Sequence, residues 1–153
     1  MNRCGVCHHH SDPEQRQLYE IGRDDLWLLR HHPDPAPLPG WLLLDALRHL
    51  GGSLDFTARE AVAWGPVLQQ ASRLVQQLTG CDRVYAIAFG EGARHLHLHL
   101  IPRFAAEPGT EAWRVADHCR AVAQGLAAAA DPQAVAVLVQ RGRPLWSALR
   151  SEP

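Results

Sequence analysis

Two short stretches carry residue types that do chemistry. The first is RHLHLHLIPR, residues 94–103, in which His95, His97 and His99 alternate with leucines. In an extended strand successive side chains point to opposite faces, and same-face neighbours lie roughly 6.6–6.8 Å apart. The three imidazoles therefore share one face, while Leu96, Leu98 and Leu100 share the other. A helix would scatter them around its circumference, so the pattern predicts a strand over about 95–101. Pro102 is expected to end its regular pairing, because it has no N–H to donate. A neutral imidazole held in one tautomer is a competent nucleophile toward phosphorus, and a second histidine on the same face reaches the same phosphate. The same pattern also suits one metal held by all three histidines, or a merely polar strand face.

The second stretch is CGVC, residues 4–7, with the C-x-x-C spacing that lets two thiolates grip one zinc. A closed tetrahedral site needs two further ligands. His8, His9 and His10 follow directly and compete for that role. A redox role of the thioredoxin kind is disfavoured, since no strand and helix pattern frames the pair. Cys81 and Cys119 are isolated and read as packing residues.

These residues need elements to hold them. LYEIG and DDLWLLR read as short strands, and WLLLDAL as a buried one. HHPDPAPLPG, residues 31–40, holds four prolines and reads as an extended loop. From Thr57 to Leu78 the apolar period becomes helical, with Thr57 and Glu60 as a capping box and Gly80 as the stop. Pro66 is the misfit and is expected to kink that helix. RVYAIAF follows as a strand, then GEG as a tight turn, so this strand and the histidine strand should form an antiparallel hairpin. Helical signals return near 115–130, and Asp131–Pro132 reads as the start of another helix. The expected fold is α+β: an antiparallel sheet of about five strands, one long helix and additional C-terminal helices.

The chain has 153 residues, enough for one domain with a real core, and a formal net charge of −1. That balance argues against a nucleic-acid partner. No apolar run approaches a membrane span, and MNRCGVCHHH lacks a signal-peptide centre, so a cytoplasmic protein is expected.

H-x-H-x-H with apolar spacers, followed by Ile101-Pro102-Arg103, resembles the signature of the histidine triad (HIT) hydrolases. CxxC near the start, a strand ending in RHL, a long helix, a strand and a glycine turn occur in that family's order. The resemblance covers about residues 4–104 of a single HIT-like domain, 1–153, with 105–153 as a C-terminal helical extension. It implies a nucleotide hydrolase or transferase acting at an α-phosphate, on a dinucleoside polyphosphate or a nucleoside phosphoramidate. It implies His97 as the nucleophile that forms a nucleotidyl-histidine, with His99 assisting the leaving group. Gly90 and Gly92 would let backbone N–H groups approach the phosphate. Asp34 lies about one residue out of register with the family's ribose-binding acid, an exposed loop acid being the commoner reading, and Arg103 could attract phosphates or equally be a solvated arginine. The resemblance further implies a structural zinc on Cys4, Cys7, His49 and His95, and a homodimer.

The sequence also departs from the family. AFGEGARH has no asparagine and no hydroxyl, with Glu91 and Gly92 where a Gln-Ser/Thr pair is usual, and Trp41 stands where a further histidine is usual. The competing expectations are a nucleotide-binding protein with little catalysis and a metal-dependent hydrolase using the three histidines. Trp27 and Trp41 read as core residues rather than base-stacking platforms.

Overall fold

The computed structural model describes residues 4–152. Two short helices, α1 (Gly5–Ser11) and α2 (Pro13–Tyr19), lead into strands β1 (Glu20–Arg23), β2 (Trp27–His31) and β3 (Leu42–Ala46). The long helix α3 (Ala58–Thr79), the hairpin β4 (Arg83–Ile87) and β5 (His97–Arg103), and helices α4 (Ala112–Ala123) and α5 (Pro132–Arg150) follow. The strands form one sheet in the order β1-β2-β3-β5-β4, every neighbour antiparallel. This is the α+β architecture the patterning predicts.

Register decides which residues share a face. Leu29 pairs with Leu44 and Leu44 with Leu98, while Leu42 pairs with Leu100. These leucines bury against Val67, Ala71, Leu74 and Val75 of α3 and against Val135, Val139, Trp146 and Leu149 of α5. Helix α5 is thus part of the principal core, and Gly22 of β1 shows how closely it packs: a Cβ there would sit 2.4 Å from the Trp146 ring. The opposite face carries a smaller apolar cluster, in which Leu43 and Ile101 meet Trp41 and Val115 of α4. The triad histidines belong to this second face.

Local signals explain the long helix. The Thr57 side chain accepts from the Glu60 N–H, and Glu60 accepts in return from the Thr57 N–H at 2.7 Å. Gly80 ends the helix in the left-handed region at φ 69°. The helix continues through Pro66. Asp131 caps α5 through the Gln133 N–H at 3.0 Å, with Pro132 at its first position.

Four expectations need correction. Leu18 and Tyr19 end α2 instead of opening a strand, because Asp12 caps a helix that starts at Pro13. Residues 88–96 make the β4–β5 connection longer than a tight turn. Strand β5 begins at His97, although Leu96 still exchanges backbone bonds with Leu50 and Ala46. Pro102 does not end the pairing either: it faces Val84, and beyond Leu100 only β4 neighbours β5, so the missing N–H is tolerated.

Candidate functional site

Alternation along residues 95–100 divides the triad as the spacing requires: Leu96, Leu98 and Leu100 enter the core, and the histidines turn to the other face. The three rings are then held in three different ways. His97 is half-buried, and its Nδ1 lies 2.6 Å from the His95 carbonyl oxygen. A carbonyl only accepts, so Nδ1 carries the proton and Nε2 keeps its lone pair. The His99 ring sits 5.3 Å from the His97 ring. Its Nδ1 accepts the Trp41 indole N–H at 3.0 Å, which leaves its proton on Nε2. Burial first, then the neighbouring His97, His32 and Arg30, lowers the His99 pKa to about 3. His99 is therefore a neutral N–H donor at neutral pH, walled by Trp41, Phe89 and His32.

His95 belongs to a separate group. Its Nε2 donates to the Ala46 carbonyl at 2.7 Å, so Nδ1 presents a lone pair. That nitrogen lies 3.5 Å from Cys4 Sγ and 3.4 Å from Cys7 Sγ, and His49 Nδ1 lies 3.4 Å from Cys7 Sγ. All four ligand atoms fall within 4.8 Å of one another. A tetrahedral zinc with bonds of about 2.3 Å to sulfur and 2.0–2.1 Å to nitrogen separates sulfur from nitrogen by roughly 3.5 Å. The residues fit that ion, and the Ala46 carbonyl supplies the outer hydrogen bond that orients a ligating imidazole. Burial and the adjacent Cys4 raise the Cys7 thiol pKa, a cost that a bound dication reverses.

The competing ligands are placed elsewhere. His8 lies 3.3 Å from Asp12, and His10 contacts Asp45 at 3.0 Å. Nor do the triad histidines converge on one ion, since His95 turns to the cysteines while His97 and His99 are committed through Nδ1 to the His95 carbonyl and Trp41.

The remaining expected residues are spread out. Gly90 and Gly92 are exposed in the loop before the triad, and Gly90 is left-handed at φ 70°. Glu91 between them is exposed. Asp34 is exposed, and its hydrogen-bond partner is Tyr19, whose hydroxyl accepts the Asp34 N–H at 3.2 Å. Arg103 is buried at the far end of β5, where it bonds the Thr110 hydroxyl at 3.0 Å and the Glu107 carbonyl at 3.2 Å. Its guanidinium closes the β5–α4 connection and is six residues along the strand from His97.

The proline loop is held shut by a histidine that its sequence did not single out. The Gly40 N–H donates to His31 Nε2 at 2.9 Å, and His31 Nδ1 donates to the His32 carbonyl at 2.8 Å. Burial lowers the pKa of both His31 and His32 to about 4. Arg30 and Asp45 were also missed. They are opposite charges inside the otherwise apolar runs WLLRH and LLLDA, and that signal alone suggests a buried pair. Arg30 Nε donates to Asp45 Oδ2 at 2.6 Å.

No family model matches the sequence, and no curated protein matches it. Solved structures do. A hypothetical histidine triad nucleotide-binding protein from Sulfolobus tokodaii superposes with a TM-score of 0.67 at 16% identity, covering 96% of this chain and 94% of that one. A histidine triad protein from Bradyrhizobium japonicum gives 0.62 at 21% identity over 86% of this chain and 93% of its own. A zinc-bound histidine triad family protein from Mycobacterium smegmatis gives 0.60 at 17% identity, with 86% of each chain covered. The chain has the fold of the histidine triad proteins, with a Cys-x-x-Cys and two-histidine cluster that includes His95, the first histidine of its triad.

Proposed function

We propose that the protein is a nucleotide hydrolase or transferase whose His97 Nε2 attacks an α-phosphate. The observation that carries this reading is the 2.6 Å contact from His97 Nδ1 to the His95 carbonyl, which holds the proton on Nδ1 and leaves the lone pair on Nε2. In the first step a bond forms between Nε2 and phosphorus and the bond to the leaving group breaks. His99, neutral with its proton on Nε2, donates a hydrogen bond to a phosphate oxygen or to the departing group, which takes its proton from solvent. Water then attacks phosphorus, the P–N bond breaks with its electron pair returning to His97 Nε2, and the water's proton passes to the released phosphate or to solvent. Dinucleoside polyphosphates and nucleoside phosphoramidates are the substrate classes proposed. The backbone of Gly90 and Gly92 is proposed to approach the phosphate, and Asp34 the nucleoside side. Arg103, whose Nη1 closes a loop at the far end of β5, is given no part in binding.

Zinc is proposed at Cys4, Cys7, His49 and His95. There it supplies a structural cross-link, fastening α1 to the end of the sheet where the triad begins. The chain is read as one domain over 1–153, cytoplasmic and homodimeric. Among the described residues no helix is long and apolar enough to cross a membrane. One observation favours a second reading, nucleotide binding with little turnover: exposed Glu91 brings negative charge to the loop where a hydroxyl would help a departing oxygen. Turnover assays on a panel of dinucleoside polyphosphates and nucleoside phosphoramidates, run beside His97→Ala, separate the two. Turnover that disappears in His97→Ala is expected. Full activity in that variant contradicts the mechanism, and no turnover with retained binding favours the second reading.

A further inference from the structure

Arg30 lies in β2 with 4% of its surface exposed. A guanidinium taken out of water needs its donors satisfied. Asp45 accepts from Nε at 2.6 Å and from Nη2 at 3.5 Å, and His10 Nε2 approaches the same carboxylate at 3.0 Å. Burial disfavours the Asp45 carboxylate, yet Arg30 and His10 together hold its pKa below the usual range. Arg30 Nη1 is left over: it is buried and has no hydrogen-bond partner among the described residues. Buried His9 Nδ1 is likewise unpartnered.

The register places Arg30 on the triad's face of the sheet, two strands from β5. Arg30 pairs with Leu43, and Leu43 with His99, so Arg30 and His99 stand in one row on the same face. Asp45 is paired directly with His97. Asp45, in the neighbouring row of this face, is already bound by both Arg30 and His10. A buried planar cation with one edge unused matches a phosphate oxygen.

We propose that Arg30 is a phosphate-binding residue of the triad site. Its Nη1 donates to a non-bridging oxygen of the phosphate attacked by His97, in a site whose loop offers no hydroxyl for the task. Asp45 is a positioning residue, holding the guanidinium plane through Nε and Nη2. The assignment rests on the nucleotide reading above.

The test compares each common ribonucleoside with its 5′-monophosphate by calorimetry, because the two compounds differ only in the phosphate. The wild-type chain is expected to prefer the monophosphate of at least one base. In Arg30→Gln with Asp45→Asn, which removes both charges and leaves no lone buried carboxylate, that preference is expected to fall about tenfold or more. Affinity for the free nucleoside is expected to hold. Should the double variant lose cooperative melting, Arg30→Lys carries the test, since a lysine can pair with Asp45 but has no spare planar edge. An unchanged monophosphate-to-nucleoside ratio in the folded variant overturns the role of Arg30 and leaves the nucleotide reading standing. A wild-type chain that binds none of the compounds overturns both.

Discussion

Trp41→Phe tests how the second catalytic histidine is held. Trp41 has 0% of its surface exposed, and its indole N–H is 3.0 Å from His99 Nδ1. Phenylalanine keeps an aromatic ring but removes the donor. A neutral hydrogen bond contributes about 1 kcal/mol net, and a buried acceptor left unpaired costs about 1–3 kcal/mol. With the space vacated by the smaller ring, an overall loss of about 2–3 kcal/mol is expected. In a chain of this size that lowers the melting temperature by roughly 4–12 °C. The functional effect is separate. Without the indole, nothing holds the His99 proton on Nε2, and the population able to donate toward the phosphate falls. The preference lost is one hydrogen bond, so turnover should fall by about tenfold or less. Nitrogen-15 shifts of the His99 ring report the tautomer directly. The wild-type ring is expected to show an unprotonated Nδ1, and the variant a mixed ring. A protonated Nδ1 in the wild type, or identical ring shifts in the variant, refutes the reasoning.

Purified protein should carry about one zinc per chain, and Cys4→Ala should lose metal and melting temperature together; metal retained by the Cys4 and Cys7 double variant would refute the site. His99→Ala should slow turnover by roughly 10²–10⁴-fold and leave zinc content unchanged, whereas His95→Ala should lose zinc as well. Acid should destabilise the fold through His31: its pKa is lowered from 6.5 to about 4, so the unfolded chain binds the proton first. Stability from His31 is present in full above pH 6.5, falls between there and about pH 4, and totals about 3 kcal/mol; urea midpoints for the wild type and His31→Asn across that window should converge at low pH. Trp146→Ala should cost about 3–5 kcal/mol, read from denaturant melts, because Trp146 is 6% exposed and packs on Gly22.

Much of this arrangement is legible in residue order because the signals are local. A period of two places three histidines on one face, and the Thr57–Glu60 capping box starts a helix that Gly80 stops. The helices α1 and α2 show no period, since seven residues each are too few, and the one local signal is Asp12–Pro13, an N-cap followed by a proline. Pro102 misleads because strand termination depends on which neighbour is still present, a tertiary fact. The zinc cluster is legible from spacing in its cysteines alone. His49 and His95 join them only because β3 and β5 pair, with Asp45 facing His97. Arg103 shows the converse: its proximity in sequence to the triad becomes separation along a strand, and its Nη1 bonds Thr110.

The account stands most directly on a covalent bond between His97 and a nucleotide phosphate. Intact mass of the chain, quenched early in reaction with the panel of dinucleoside polyphosphates and phosphoramidates, reads that bond. One added nucleotidyl group is expected, mapped to His97 by peptide analysis and absent from His97→Ala. Steady turnover with no adduct at any early time, undiminished in His97→Ala, would contradict the account.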